Sequence, residues 1–132
     1  MLSVLDQTLT AMGSRKLKQW IMYPLMDLGE IRRRQDLVEA FFEDSLLRQG
    51  LRNHLKGIYD LERLVAKVSL NQGGPRDLLA LKHSLQRLPA VRQLLLASGS
   101  PLVTEVGRKL DVLDDVALLP SPPEGARVPP VR

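Results

Sequence analysis

Apolar residues recur at steps of three and four along almost the whole sequence, and this periodicity is the feature that most constrains the fold. Two such series are Leu78, Leu81, Leu85, Leu88 and Val103, Val106, Leu110, Leu113. Steps of this size place side chains on one face of an α-helix. No segment shows the sustained alternation or the run of β-branched residues that is typical of strands. The sequence therefore predicts an all-α fold, an irregular bundle of about six or seven helices.

Local signals predict where the first long helix begins and ends. Thr10 can accept a hydrogen bond from a first-turn amide, so it is the expected N-cap. Pro24 lacks an amide hydrogen and is expected to end the helix. The apolar face between them consists of Gly13, Leu17, Trp20 and Ile21. Gly13 costs about 1 kcal/mol in a helix interior, so the close approach of another backbone is expected there. Trp20 is predicted to anchor the core.

Similar signals mark the helices that follow. Residues 27–30, Asp-Leu-Gly-Glu, have the spacing of a capping box. The apolar face of the next helix consists of Ile31, Val38, Phe41 and Phe42. Phe41 is predicted to anchor the core, and Ser45 is the expected N-cap of a third helix. Two shorter helices should end before the Asn-Gln-Gly-Gly segment at 71–74, and Pro75 suits the first turn of the next helix.

Length and composition restrict the class of protein. At 132 residues with 44% hydrophobic content, the chain suits one domain. It has no cysteine, which excludes disulfides and thiolate chemistry and favours a reducing compartment such as the cytoplasm. Asp6 interrupts any signal peptide, and no apolar run approaches the about 18 residues that a membrane span needs. A net charge of +4 permits binding to nucleic acid without requiring it.

The composition changes after Leu119. Prolines stand at 120, 122, 123, 129 and 130, in a stretch with few apolar residues. Such a stretch cannot bury enough apolar surface to offset the entropy lost on ordering. The sequence therefore predicts a helical domain over residues 1–119 and a flexible proline-rich segment over residues 120–132.

Three patterns are candidates for chemistry, and each has a simpler structural explanation. Residues 73–75, Gly-Gly-Pro, lack the lysine and hydroxyl of a phosphate loop, so a helix stop and a helix start are predicted. The only histidines, His54 and His83, lack the closely spaced partners of a zinc site and are predicted to be surface residues. Two carboxylate pairs are expected to cap helices or to face solvent; they are Asp60 with Glu62 and Asp114 with Asp115. No catalytic, cofactor-binding or metal-binding residue is therefore assigned.

Two basic clusters are the candidates for contact with nucleic acid. They consist of Arg15, Lys16 and Lys18, and of Arg32, Arg33 and Arg34. Each phosphate that such a residue neutralises releases counterions and strengthens binding at low salt. Neighbouring residues on a helix point in different directions, however, and Arg34 lies four residues after Glu30, where an ion pair can form. A solvated helix face is therefore the alternative to a phosphate-binding surface.

Several sequence motifs occur together in a fixed order. Residues 2–25 read LSVLDQTLTAMGSRKLKQWIMYPL, with Gly13 followed by Arg15 and an apolar face that ends at Pro24. The later motifs are IYDLERL at 58–64, PRDLLAL at 75–81, Ser84-Leu85 and Leu88-Pro89. Over roughly residues 2–119, this series resembles the first half of the core domain of the MutS family of DNA mismatch-recognition proteins.

The resemblance implies that the chain is a fragment, an all-helical hub that joins the mismatch-reading region, the DNA clamp and the ATPase of a larger protein. It implies that the whole protein binds mismatched duplex DNA as a homodimer, exchanges ADP for ATP with magnesium, forms a sliding clamp and recruits MutL. The fragment itself would be no enzyme and would hold no cofactor. It would be the structural and allosteric link between these activities, in the cytoplasm and on DNA.

An independent all-helical interaction module is the alternative interpretation. Its leucine-rich faces would receive a partner helix, and its proline-rich segment would be a docking site. A small enzyme is the least favoured class, because no activated nucleophile, acid-base pair or metal set can be identified. A phosphate-loop motif several hundred residues downstream in the reading frame would favour the MutS interpretation, and a stop codon after Arg132 would favour the module.

Overall fold

The computed structural model describes residues 2–113, and seven α-helices and no strand lie within this range. The helices are α1 (Leu2–Leu5), α2 (Ala11–Met22), α3 (Leu28–Glu43), α4 (Ser45–Leu55), α5 (Leu61–Ser69), α6 (Pro75–Leu96) and α7 (Pro101–Lys109). The prediction of an all-α fold with six or seven helices is confirmed. The predicted proline-rich segment 120–132 and the boundary before it lie outside the described residues. Over residues 2–113, no helix is both long and apolar enough to cross a membrane.

The longest helix, α6, is the centre of the bundle. Helices α4, α5 and α7 pack against it, while α3 packs against α4 and α7. Its buried residues are Ala80, Ser84, Leu85, Leu88, Val91 and Leu95. The last four of them meet Leu47 of α4, Ile58 of the following turn and Val103 of α7 in one core. Leu85 and Leu88 therefore lie on the buried face that their spacing predicts.

The predicted caps of the early helices are present. The hydroxyl of Thr10 accepts a hydrogen bond from the amide of Gly13 at 3.0 Å, at the start of α2. The carboxylate of Asp27 accepts one from the amide of Glu30 at 2.9 Å, at the start of α3. Pro75 is the first residue of α6, as predicted. These ends agree with the sequence because each depends on contacts within a few residues.

The predicted N-cap of α4 was wrong by one residue. Ser45 is the first residue of the helix, and the N-cap is Asp44, whose carboxylate accepts a hydrogen bond from the amide of Leu47 at 2.9 Å. A carboxylate at this position also interacts favourably with the positive end of the helix dipole, which a serine hydroxyl does only weakly.

Close backbone approach occurs at a different glycine from the predicted one. The atoms nearest to a Cβ atom on Gly13 would belong to the side chains of Thr8 and Thr10 in the preceding turn. On Gly107 of α7, a Cβ atom would lie 2.9 Å from the Cβ of Leu95 and 3.1 Å from the next backbone nitrogen in α6. Gly107 therefore allows α7 to pack closely against α6.

The predicted core anchor of α2 and part of the predicted apolar face of α3 are exposed. Trp20 is 39% exposed, and α2 has no buried residue. Phe42 is 77% exposed, whereas the adjacent Phe41 packs against the core as predicted. The core side of α3 is the side of Leu37, Ala40 and Phe41. Val38 and Phe42 lie beside that face and extend into solvent, because no described helix covers them.

Some positions of the apolar series predicted for α6 and α7 are exposed. Leu78 and Val106 are substantially exposed, and Leu113 is exposed beyond the end of α7. The helix predicted through Leu110 and Leu113 ends at Lys109, where the backbone becomes extended at Leu110. Leu110 still packs against the core from outside the helix.

Candidate functional site

Arg15 lies where α2 meets α5 and contacts two carboxylates. Its guanidinium donates hydrogen bonds to Asp60 at 2.7 and 2.8 Å, and one to Glu62 at 2.7 Å. Asp60 is also the N-cap of α5, since it accepts a hydrogen bond from the amide of Arg63. The capping role predicted for Asp60 is therefore confirmed. The Arg15 cation is neutralised locally, and it joins α2 to the start of α5.

The same contacts shift the proton equilibria of both partners. The hydrogen bonds from Arg15 lower the pKa of Asp60, with the Arg63 amide contributing in the same direction. The two carboxylates raise the pKa of Arg15 further above its already high value. Both groups are therefore charged at neutral pH, as a stable ion pair requires.

Arg33 joins α3 to α7. Its guanidinium lies 3.1 Å from the carboxylate of Glu105, which also pairs with Lys109 at 2.9 Å. The hydrogen bond from Lys109 is the main cause of a lowered pKa for Glu105, and the charge of Arg33 adds to it. Arg33 is thus engaged with a neighbouring helix.

Arg34 stacks on the ring of Trp20, with its guanidinium carbon 3.7 Å from the ring centroid. This cation-π contact joins α2 to α3, and the indole is 39% exposed. Within residues 2–113, Arg34 makes no ion pair with Glu30, although their spacing permits one.

The remaining basic candidates are Lys16, Lys18 and Arg32. All three are exposed, and they form no ion pair in the described part of the chain. The six candidates thus divide into three that connect helices and three that face solvent. The structure does not unite them in one pocket, and contact with DNA stays a prediction for all six.

The glycine-rich turn has the structural role that its sequence predicts. Gly74 is the N-cap residue of α6, and its amide donates a hydrogen bond to the carboxylate of Asp77 at 3.0 Å. Lys67 of α5 lies 3.6 Å from the same carboxylate. The turn therefore ends α5 and starts α6.

The other candidates for chemistry do not converge on one place. His83 is exposed as predicted, and His54 is half-buried. Asp114 and Asp115 lie outside the described residues. Between residues 2 and 113, no group of three or more histidine, aspartate or glutamate side chains is placed to hold a metal ion.

Ser84 forms a buried contact that sequence reasoning missed. It is fully buried in α6, and its hydroxyl accepts a hydrogen bond from the amide of Tyr59 at 2.9 Å. The contact fixes the segment between α4 and α5 against α6. Its only signal in the sequence is a serine within a leucine-rich helix face, where a buried polar group needs a partner.

Comparison with known proteins identifies the family of this chain. The sequence model of MutS domain III matches residues 1–128. The chain belongs to the MutS domain III family. The resemblance found in the sequence is therefore confirmed.

Full-length MutS proteins are among the relatives of this MutS domain III chain. It is 46% identical over 117 residues to the DNA mismatch repair protein MutS of Pelotomaculum thermopropionicum, covering 88% of this chain and 14% of the relative. It is 40% identical over 121 residues to the MutS protein of Methanothrix thermoacetophila, covering 90% of this chain and 14% of the relative. It is 40% identical over 133 residues to the MutS protein of Leuconostoc citreum, covering 96% of this chain and 15% of the relative. The chain thus spans a small part of the length of these relatives.

The motifs that carry the MutS resemblance contain residues that connect helices. Arg15 from the first motif bonds to Asp60 from the second, which joins α2 to α5. Asp77 from the third motif completes the start of α6. Ser84 from the fourth binds the amide of Tyr59 in the second. In this MutS domain III, the motif residues position the helices relative to one another.

Proposed function

We propose that this chain is the structural and allosteric helical core of a DNA mismatch repair protein. In this role it links the binding of mismatched duplex DNA to the ATP-driven formation of a sliding clamp. The supporting observation is the match to MutS domain III over residues 1–128, together with relatives named DNA mismatch repair protein MutS. Because the chain spans only 14–15% of those relatives, mismatch reading and ATP hydrolysis are proposed to reside elsewhere in the protein.

A bundle built around one helix suits such a linking role. Helix α6 contacts three other helices, and ion pairs at the surface join α2 to α5 and α3 to α7. Packed helices move as rigid bodies and change between discrete arrangements. A displacement imposed on one helix would therefore be passed to the others through these contacts.

The proposal extends to the whole protein through family membership. The protein would act as a homodimer on DNA in the cytoplasm, recruit MutL, and bind ATP, ADP and magnesium outside this chain. Within the chain, residues 1–119 would be the helical domain and residues 120–132 a proline-rich segment leading towards the clamp. Any contact of Lys16, Lys18 and Arg32 with DNA would be weak and sensitive to salt.

The isolated chain provides the first test. It is expected neither to hydrolyse ATP nor to prefer a mismatched duplex over a perfect one. A tenfold preference for the mismatch, equal to about 1.4 kcal/mol, would contradict the assignment of mismatch reading to other domains.

The second test uses a full-length MutS protein that carries this chain as its domain III. Leu85→Ala alters the buried face of α6, and Leu78→Ala makes the same change at an exposed position of the same helix. Mismatch affinity is measured with and without ATP, and ATP affinity with and without mismatched duplex, at a temperature where both variants are folded. Thermodynamic linkage requires that ATP change the mismatch affinity by the same factor by which mismatched duplex changes the ATP affinity.

Leu85→Ala is expected to retain both affinities and to weaken the coupling between them by about 0.5–2 kcal/mol, with little change for Leu78→Ala. If Leu85→Ala is less stable but its two sites remain fully coupled, transmission through α6 is refuted. The burial of Leu85 would still be supported by the lower stability.

A further inference from the structure

An exposed apolar strip runs along α3. Val38 and Phe42 lie one turn apart on this helix and are 65% and 77% exposed. Trp20 of α2 closes one side, which creates a groove of about 480 Å³. Contiguous exposed apolar surface of this kind is typical of interaction sites.

Carboxylates lie along the other side of the strip. They belong to Asp36, Glu39, Glu43 and Asp44, which line a second groove of about 620 Å³. Glu39 borders both grooves. Asp36, Glu39 and Glu43 form no ion pair within residues 2–113. A chain with a net charge of +4 thus concentrates negative charge beside its exposed apolar strip.

We propose that this strip binds an amphipathic α-helix from outside the chain, with lysine or arginine along one edge of its apolar face. Apolar residues spaced by one helical turn match the anchor residues of a helix docked in a groove. The carboxylates supply the complementary charge on one side. On the other side, Arg34 is stacked on Trp20 and lines the same groove, so the basic residues of the docked helix are expected on the edge that faces the carboxylates.

The charge of the surface favours this partner over a second copy of the chain. Two copies that met through the same strip would bring two sets of unpaired carboxylates together, and like charges disfavour such contact. A basic helix meets no such repulsion. The inference concerns the chain's own surface and does not depend on its proposed role in mismatch repair.

Two labelled helical peptides are suitable probes, one built from leucine and lysine and one with every lysine replaced by glutamate. Each is titrated against the 132-residue chain, and fluorescence anisotropy gives the dissociation constant. The leucine-lysine peptide is expected to bind at least about tenfold more tightly at low salt, with the difference shrinking as salt rises.

Matched variants locate the binding surface. Phe42→Ser should weaken binding of the leucine-lysine peptide about tenfold, while Leu70→Ser, at a similarly exposed leucine directly after α5, should not. Glu39→Lys should reduce the preference for the lysine peptide. Glu30→Lys makes the same charge change on the same helix but borders neither groove, so it should leave the preference intact. Circular dichroism checks that every variant is folded.

Three results would overturn the proposal. The first is equal affinity for the two peptides, and the second is an equal loss of binding in Phe42→Ser and Leu70→Ser. The third is concentration-dependent dimerisation in sedimentation velocity that Phe42→Ser abolishes, because it would assign the strip to a second copy.

Discussion

Shortening Leu85 of α6 to alanine tests the packing of the bundle at its centre. Leu85 is 4% exposed and belongs to the core that joins α4, α6 and α7. The substitution removes three carbon atoms, which corresponds to about 2.4 kcal/mol of transfer free energy at ~0.8 kcal/mol per carbon. The cavity left behind adds to this loss, and buried Leu→Ala changes cost about 2–5 kcal/mol in total. We expect a loss of about 3 kcal/mol in the free energy of unfolding.

Leu78→Ala is the matched control, because it makes the same change in helix propensity within α6. Leu78 is 45% exposed, so roughly half of its transfer free energy is at stake and no closed cavity forms. The expected loss is about 1 kcal/mol. Urea unfolding followed by circular dichroism measures both variants. With a slope of about 1–3 kcal/mol per molar, the Leu85 variant should unfold at a urea concentration lower by about 1–3 M.

Equal losses in the two variants would refute the reasoning, since the helix would then not bury Leu85 in preference to Leu78. A change in the slope alone would point instead to an altered unfolded state. If Leu85→Ala is unfolded without urea, Leu85→Val removes one carbon and keeps the comparison measurable.

Three further substitutions test other contacts. Ser84→Ala removes the buried hydrogen bond to the amide of Tyr59 and should lower the free energy of unfolding by about 1–3 kcal/mol; an unchanged urea midpoint would contradict this role. Gly107→Ala should destabilise the fold, because overpacking against α6 costs about 1–3 kcal/mol and outweighs a gain of about 1 kcal/mol in helix propensity; a more stable variant would show that α7 can move away. Asp60→Asn keeps a capping side chain but removes the ion pair with Arg15. The pKa of Asp60 is lower in the folded chain than its value of about 3.9 in the unfolded chain, so the ionised carboxylate stabilises the fold above that pH. This stabilisation is lost as pH falls through the pKa of the folded state. The wild type should therefore lose more stability than the variant between pH 7 and pH 3, and equal losses in urea titrations would exclude the ion pair as the cause.

The sequence by itself determined the fold class and most helix ends. Thr10 and Asp27 accept hydrogen bonds from amides in the first turn of their own helices, and Pro75 occupies the first helical position, where no amide hydrogen is needed. Their roles can therefore be inferred from residues a few positions apart. The spacing in α6 likewise identified the buried face that contains Leu85, because a central helix is covered by several neighbours. The MutS resemblance was also readable from the motifs before their contacts were known.

Only the tertiary structure decided which of these apolar faces became buried and which charges became paired. Trp20 and Phe42 have the spacing of core residues, yet both are exposed because no described helix covers their side of α2 and α3. Arg15 read as a member of a basic cluster, whereas its partner Asp60 lies 45 residues away. A helical period shows that a helix has an apolar face, but it carries no information on how many neighbours meet that face. Burial and ion pairing depend on contacts between distant segments, and those contacts exist only once the helices have packed.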